Sequence, residues 1–105
     1  MRKRSARGAA IAVVLGSFLA TTGVVAAQAT TEYPSVGGTW NYGVYEPAST
    51  VYVYSDYYHK DRKHRSSVQV HNGTIYRSAD AAKGTWSKVE KQTYYGGNGA
   101  WYYAY

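Results

Sequence analysis

A chain of 105 residues with 13 tyrosines, three tryptophans and no cysteine has neither disulfides to lean on nor the length for a large core. Its formal charge of +6 suggests a nucleic-acid binder, yet four of the 12 Lys and Arg are Arg2, Lys3, Arg4 and Arg7, while all six acids lie further on. Without that basic leader the charge falls to +2, so bulk nucleic-acid binding is excluded as an inference from basicity.

The leader runs from its basic start through the apolar stretch Ala9 to Ala20 and ends in small residues at Ala27, Gln28 and Ala29. That order is the pattern of a secretory signal peptide, and cleavage is expected between Ala29 and Thr30. The chain then divides into a signal peptide, residues 1–29, and a secreted mature domain, residues 30–105. Ala9 to Ala27 is uncharged and close to the ~20 residues of a membrane span, but Thr21, Thr22 and Gly23 weaken an anchor reading. No later stretch is apolar enough to span, so the mature form is expected not to cross a membrane. Every Leu, Met and Phe lies in the first twenty residues, which leaves Tyr, Trp and Val to build the mature core. At this size most of those rings must be structural.

The mature region reads as short strands punctuated by turns. Gly38 to Tyr45 is the first, followed by Glu46 and Pro47. Thr50 to Tyr58 is the second; its run Val51, Tyr52, Val53, Tyr54 suits a pleated strand covered on both faces. Val68 and Val70 alternate with Ser67, Gln69 and His71, then Asn72-Gly73 offers a tight type I′ turn and Thr74 to Arg77 returns as the other arm of a hairpin. Ser78 to Lys83, with Ala79, Ala81 and Ala82, is the one place for a single helical turn. Thr85 to Tyr95 and Ala100 to Tyr105 complete six strands, separated by Gly96, Gly97, Asn98 and Gly99. Gly38-Thr39-Trp40 recurs as Gly84-Thr85-Trp86, each opening a strand, which would suit two small sheets packed face to face.

With the strands placed, the mature chain resembles the lactococcin 972 family of bacteriocins over Gly38 to Tyr105. The likeness is carried in order by Gly38-Thr39-Trp40 with Gly43, Tyr54-Ser55-Asp56-Tyr57-Tyr58-His59, His64-Arg65-Ser66-Ser67-Val68, Gly84-Thr85-Trp86-Ser87-Lys88 and the terminal Trp101-Tyr102-Tyr103-Ala104-Tyr105. The lead Thr30 to Gly37 and the Gly-rich turn at 96–99 depart from it. The resemblance implies an all-β fold, a small antiparallel β-sandwich of two three-stranded sheets, secreted and active against related bacteria. It further implies binding to the cell-wall precursor lipid II, a block of septum formation without pores, and a membrane immunity system in the producer.

Two groups of residues are candidates for touching such a target. The segment from His59 to Arg65 carries Lys60, Arg62, Lys63 and Arg65 against Asp61, and cations of this kind suit the pyrophosphate of lipid II. The same segment also fits a plain solvated connection between two aromatic strands. Trp101, Tyr103 and Tyr105 on one face of the last strand, with Tyr102 on the other, offer rings that stack on sugars, or that pack at a core or an edge. His59, His64 and His71 lack the spacing that would aim their nitrogens at a metal. Asn72-Gly73-Thr74 matches a glycosylation signal, but turn chemistry already explains it. No cofactor or catalytic residue is expected: there is no thiol, no paired acids and no Gly-x-Ser-x-Gly elbow. A wall-carbohydrate or adhesion module without killing activity, and a membrane-permeabilising peptide, stand as rival functions.

Overall fold

The computed structural model describes residues 13–14 and 28–105, so the expected leader lies largely outside the described residues. Among the described residues there are eight strands: β1 (Val13–Val14), β2 (Gln28–Glu32), β3 (Thr39–Tyr45), β4 (Val51–His59), β5 (His64–Gln69), β6 (Ile75–Arg77), β7 (Thr85–Thr93) and β8 (Gly99–Ala104). They form two antiparallel sheets, ordered β2-β3-β4-β7 and β1-β8-β5-β6. The six strands expected from sequence all form. Two sheets of three strands is corrected, because the lead residues add β2 to the free edge of β3. Glu32 pairs with Trp40 there, the Tyr42 hydroxyl donates to the Glu32 carboxylate, and the Thr31 hydroxyl donates to Asn41 Oδ1 at 2.7 Å. The two-residue β1 pairs with Ala100 and Gly99 of β8.

Alternation along β4 builds the core. Val51, Val53, Ser55, Tyr57 and His59 point inward, while Tyr52, Tyr54, Asp56 and Tyr58 stay partly exposed on the outside. The expectation that both faces of β4 are covered therefore fails for the outer one, which has only neighbouring side chains over it. Inside, Tyr57 and Trp40 meet Tyr102 of the opposite sheet at ring-centroid distances of 4.9 and 5.0 Å, and valines fill the remaining space. The polar groups that Trp40, Ser55 and Tyr57 carry in are each hydrogen-bonded. Trp40 Nε1 donates to Ser55 Oγ (2.9 Å), which donates to the Trp101 carbonyl of the facing sheet (2.8 Å). The Tyr57 hydroxyl donates to the Gly37 carbonyl at 2.6 Å. Such pairing is the condition on which a tyrosine core can be as stable as an aliphatic one.

Three further expectations change. Gly38-Thr39-Trp40 and Gly84-Thr85-Trp86 do open β3 and β7, but both strands flank β4 in a single sheet. Trp40 pairs with Tyr57 and is buried, whereas Trp86 pairs with Tyr58 and faces solvent; one residue of register reverses the side on which a ring lies. The hairpin after Val70 has three loop residues. Val70 N bonds to Thr74 O, Gly73 N to Val70 O, and only Gly73 takes a positive φ, +91°, as in a type I turn closed by a bulge. Finally, residues 78–83 form no helix. Ser78 N bonds to Ser66 O and Ala81 exchanges two backbone bonds with His64, so the segment runs extended beside the start of β5 and satisfies that strand's outward amides and carbonyls.

Candidate functional site

The outer face of the smaller sheet gathers side chains from three strands that are distant in sequence. On β5, Arg65 and Ser67 lie on the outer side, Ser67 itself covered by its neighbours, while Ser66 and Val68 face the core. Ser67 lies opposite Arg77 of β6 on one side and Trp101 of β8 on the other, and Arg65 lies opposite Tyr103. The small Ser67 side chain thus forms the floor between an indole and a guanidinium. A groove of about 310 Å³ results, bounded by Arg65, Arg77, Ile75, Trp101 and Tyr103.

The end of the chain closes one side of this face. The Arg65 guanidinium lies 4.9 Å from the Tyr103 ring centroid and 5.9 Å from that of Tyr105, whose hydroxyl it reaches at 3.3 Å. Lys63 Nζ lies 4.8 Å from the Tyr105 centroid and 3.6 Å from Asp80 Oδ2. The Tyr105 hydroxyl donates to Asp80 Oδ1, and that bond chiefly holds the phenol above its ordinary range. Backbone bonds fasten the same strand end to the basic loop: Tyr105 N donates to the Lys63 carbonyl and Arg62 Nη1 to the Tyr105 carbonyl.

The structure therefore joins the two groups of candidates only in part. Lys63, Arg65, Trp101, Tyr103 and Tyr105 share one face, with Arg62 at its margin. Lys60 lies elsewhere, lining a cleft of about 460 Å³ with Gly37, Gly38 and Thr39, a cleft that Arg62 also borders. Tyr102 is 2% exposed and packs on Trp40 and Tyr57, so its ring belongs to the core and cannot meet a target; alternation along β8 requires this once Trp101 and Tyr103 face out. Arg77 and Ile75 were not singled out from sequence, and they complete the groove.

The charged side chains that line the groove are the two cations Arg65 and Arg77. Neither Arg65 nor Arg77 has a carboxylate partner among the described residues. They are diagonal neighbours on adjacent strands, which sets their backbones about 7–8 Å apart. Two planar donor forks at that spacing can engage adjoining phosphates, with Trp101 and Tyr103 beside them as flat apolar walls for a sugar.

Two of the three histidines, His59 and His64, have their ring nitrogens engaged by the backbone. His59 Nδ1 accepts from the amides of Asp61 and Arg62, both at 3.1 Å, and Nε2–H donates to the Val36 carbonyl at 3.0 Å. Both nitrogens of the buried His64 face carbonyls, Arg62 O at 2.7 Å and Thr85 O at 2.8 Å. These two rings clamp the ends of the basic loop. No signal of spacing or periodicity marks that role, because the partners are main-chain atoms far along the chain.

Comparison with known proteins gives one finding. The family model described as Bacteriocin (Lactococcin 972) matches residues 36–102. Nothing matches among curated proteins or among solved structures.

Proposed function

The chain belongs to the lactococcin 972 bacteriocin family, and we propose that it is a secreted antibacterial protein that binds lipid II at the arginine and aromatic groove of its smaller sheet. Capture of the precursor would starve septum formation, without pores and without catalysis. The observation that carries this reading is the pair Arg65 and Arg77, free of carboxylates and set against Trp101 across Ser67. Pyrophosphate suits the two forks, and the attached sugars suit the rings. Among the described residues no helix is long and apolar enough to cross a membrane.

Export would proceed through the leader, with the cut at Ala29-Thr30 falling inside β2. Thr30–Glu32 would remain on β3, and β1 would leave the edge of β8. A membrane immunity system is the expected partner in the producing cell.

The test is a growth assay on related bacteria, run with a dye-leakage assay and microscopy of septa. Growth arrest with missing septa and intact membranes is expected, relieved by added lipid II. Leakage would replace this reading with a permeabiliser, and neither arrest nor leakage would replace it with an adhesion module.

A further inference from the structure

The outer face of the larger sheet has no role in this reading, and its composition differs from that of the groove. Its cross-strand rows are Tyr45 with Tyr52, Gly43 with Tyr54 and Glu90, Asn41 with Asp56 and Lys88, and Tyr58 with Trp86. Aromatic rings thus occupy both ends of the face, and amides and carboxylates occupy its middle. Tyr45 lies 5.6 and 5.9 Å from Tyr52 and Tyr54 by ring centroids, and Tyr58 lies 5.4 Å from Trp86, which is 42% exposed.

We propose that this face is a second binding surface, for the uncharged N-acetylated glycan backbone of the bacterial wall. Two observations select that occupant. First, the face carries Asp56 and Glu90 against Lys88 alone, so it offers nothing to a phosphate and is unlike the cationic groove. Second, Asp56 is half-buried yet makes no hydrogen bond or ion pair among the described residues, and desolvation lifts its carboxyl above the ordinary value. An acceptor held partly out of water and left unpartnered suits a sugar hydroxyl or amide.

Shape agrees with this assignment. Gly43 has no side chain, and beside it a shallow cleft of about 320 Å³ is bounded by Ala29, Tyr45, Tyr54, Asp56 and Glu90. Tyr54 and Tyr58 stand four residues apart on β4, on the order of 13 Å by strand rise, so the two aromatic ends would stack on different sugars of one chain. The expected cut at Ala29-Thr30 would remove Ala29 and widen the cleft.

The test uses the secreted protein with chitohexaose as a soluble probe and purified peptidoglycan sacculi as an insoluble one. Binding to both is expected. Trp86→Ala should weaken it about tenfold with the melting temperature retained, and Asp56→Asn should weaken it less. Arg65→Ser with Arg77→Ser should leave it unchanged. Absence of binding by the folded protein, equal binding by folded Trp86→Ala, or loss only in the arginine variant would overturn the proposal. So would sedimentation showing that a second copy of the chain occupies this face. Chitohexaose carries no pyrophosphate, so failure of the lipid II reading leaves this experiment intact.

Discussion

The two outer faces use the same rings and opposite charge. On the smaller sheet Trp101, Tyr103 and Tyr105 surround Arg65, Arg77 and Lys63 with Asp80 at the edge; on the larger sheet Tyr45, Tyr54, Tyr58 and Trp86 surround Asp56 and Glu90 with Lys88 between them. Both faces rest on one shared interior in which Tyr57 and Trp40 touch Tyr102. Aromatic content therefore says little about what either surface binds. The charged residues set between the rings distinguish them.

The largest expected effect comes from breaking what the faces share. Tyr57→Ala removes a fully buried ring and its bond to Gly37, and should cost about 3–5 kcal/mol, enough to unfold much of a domain this small. Urea unfolding followed by circular dichroism would show both faces lost together; a near-native midpoint would mean that the sheets do not depend on this contact. A smaller effect separates the two Gly-Thr-Trp copies. A Cβ at Gly38 would lie 2.3 Å from the Tyr58 carbonyl at φ +95°, whereas at Gly84 (φ +82°) it would meet nothing within 4 Å. Gly84→Ala should cost about 1–2 kcal/mol from backbone conformation alone, and Gly38→Ala distinctly more, read as the difference between their thermal midpoints.

The smallest effect is alkaline. Burial, and then the bond to Glu32, push the Tyr42 phenol from 10.0 to about 12. The folded state thus favours the protonated ring, so this contribution is complete below pH 10 and fades as pH rises through 12. Unfolding in urea at pH 9 and 11 should show a loss of stability that Tyr42→Phe reduces. An equal loss in both proteins would mean that Tyr42 adds nothing to it and that other raised phenols, such as Tyr45 and Tyr57, carry the effect.

Much of the scaffold was legible because alternation is a local property. Val51 to Tyr58, the terminal Trp101 to Tyr105 and the Asn72-Gly73 reversal each declare a strand or a turn without reference to the rest. The groove was legible only in part, and one residue explains why. A two-residue type I′ loop would pair Arg77 with Val68 and turn it toward the core; the three-residue loop pairs it with Ser67 and turns it out beside Trp101. Loop length at Asn72-Gly73 thus decides whether Arg77 can serve the groove. The absent helix at 78–83 has a similar origin: its alanines favour helix, but the unpaired backbone of His64 and Ser66 recruits the segment as an extended partner.

The most direct measurement is the affinity of Arg65→Ser, Arg77→Ser for lipid II in detergent micelles, taken beside its melting temperature and its binding of chitohexaose. Loss of lipid II binding by about a hundredfold, with melting and glycan binding unchanged, is predicted. Undiminished lipid II binding by the folded double variant would contradict the assignment of the precursor to this face.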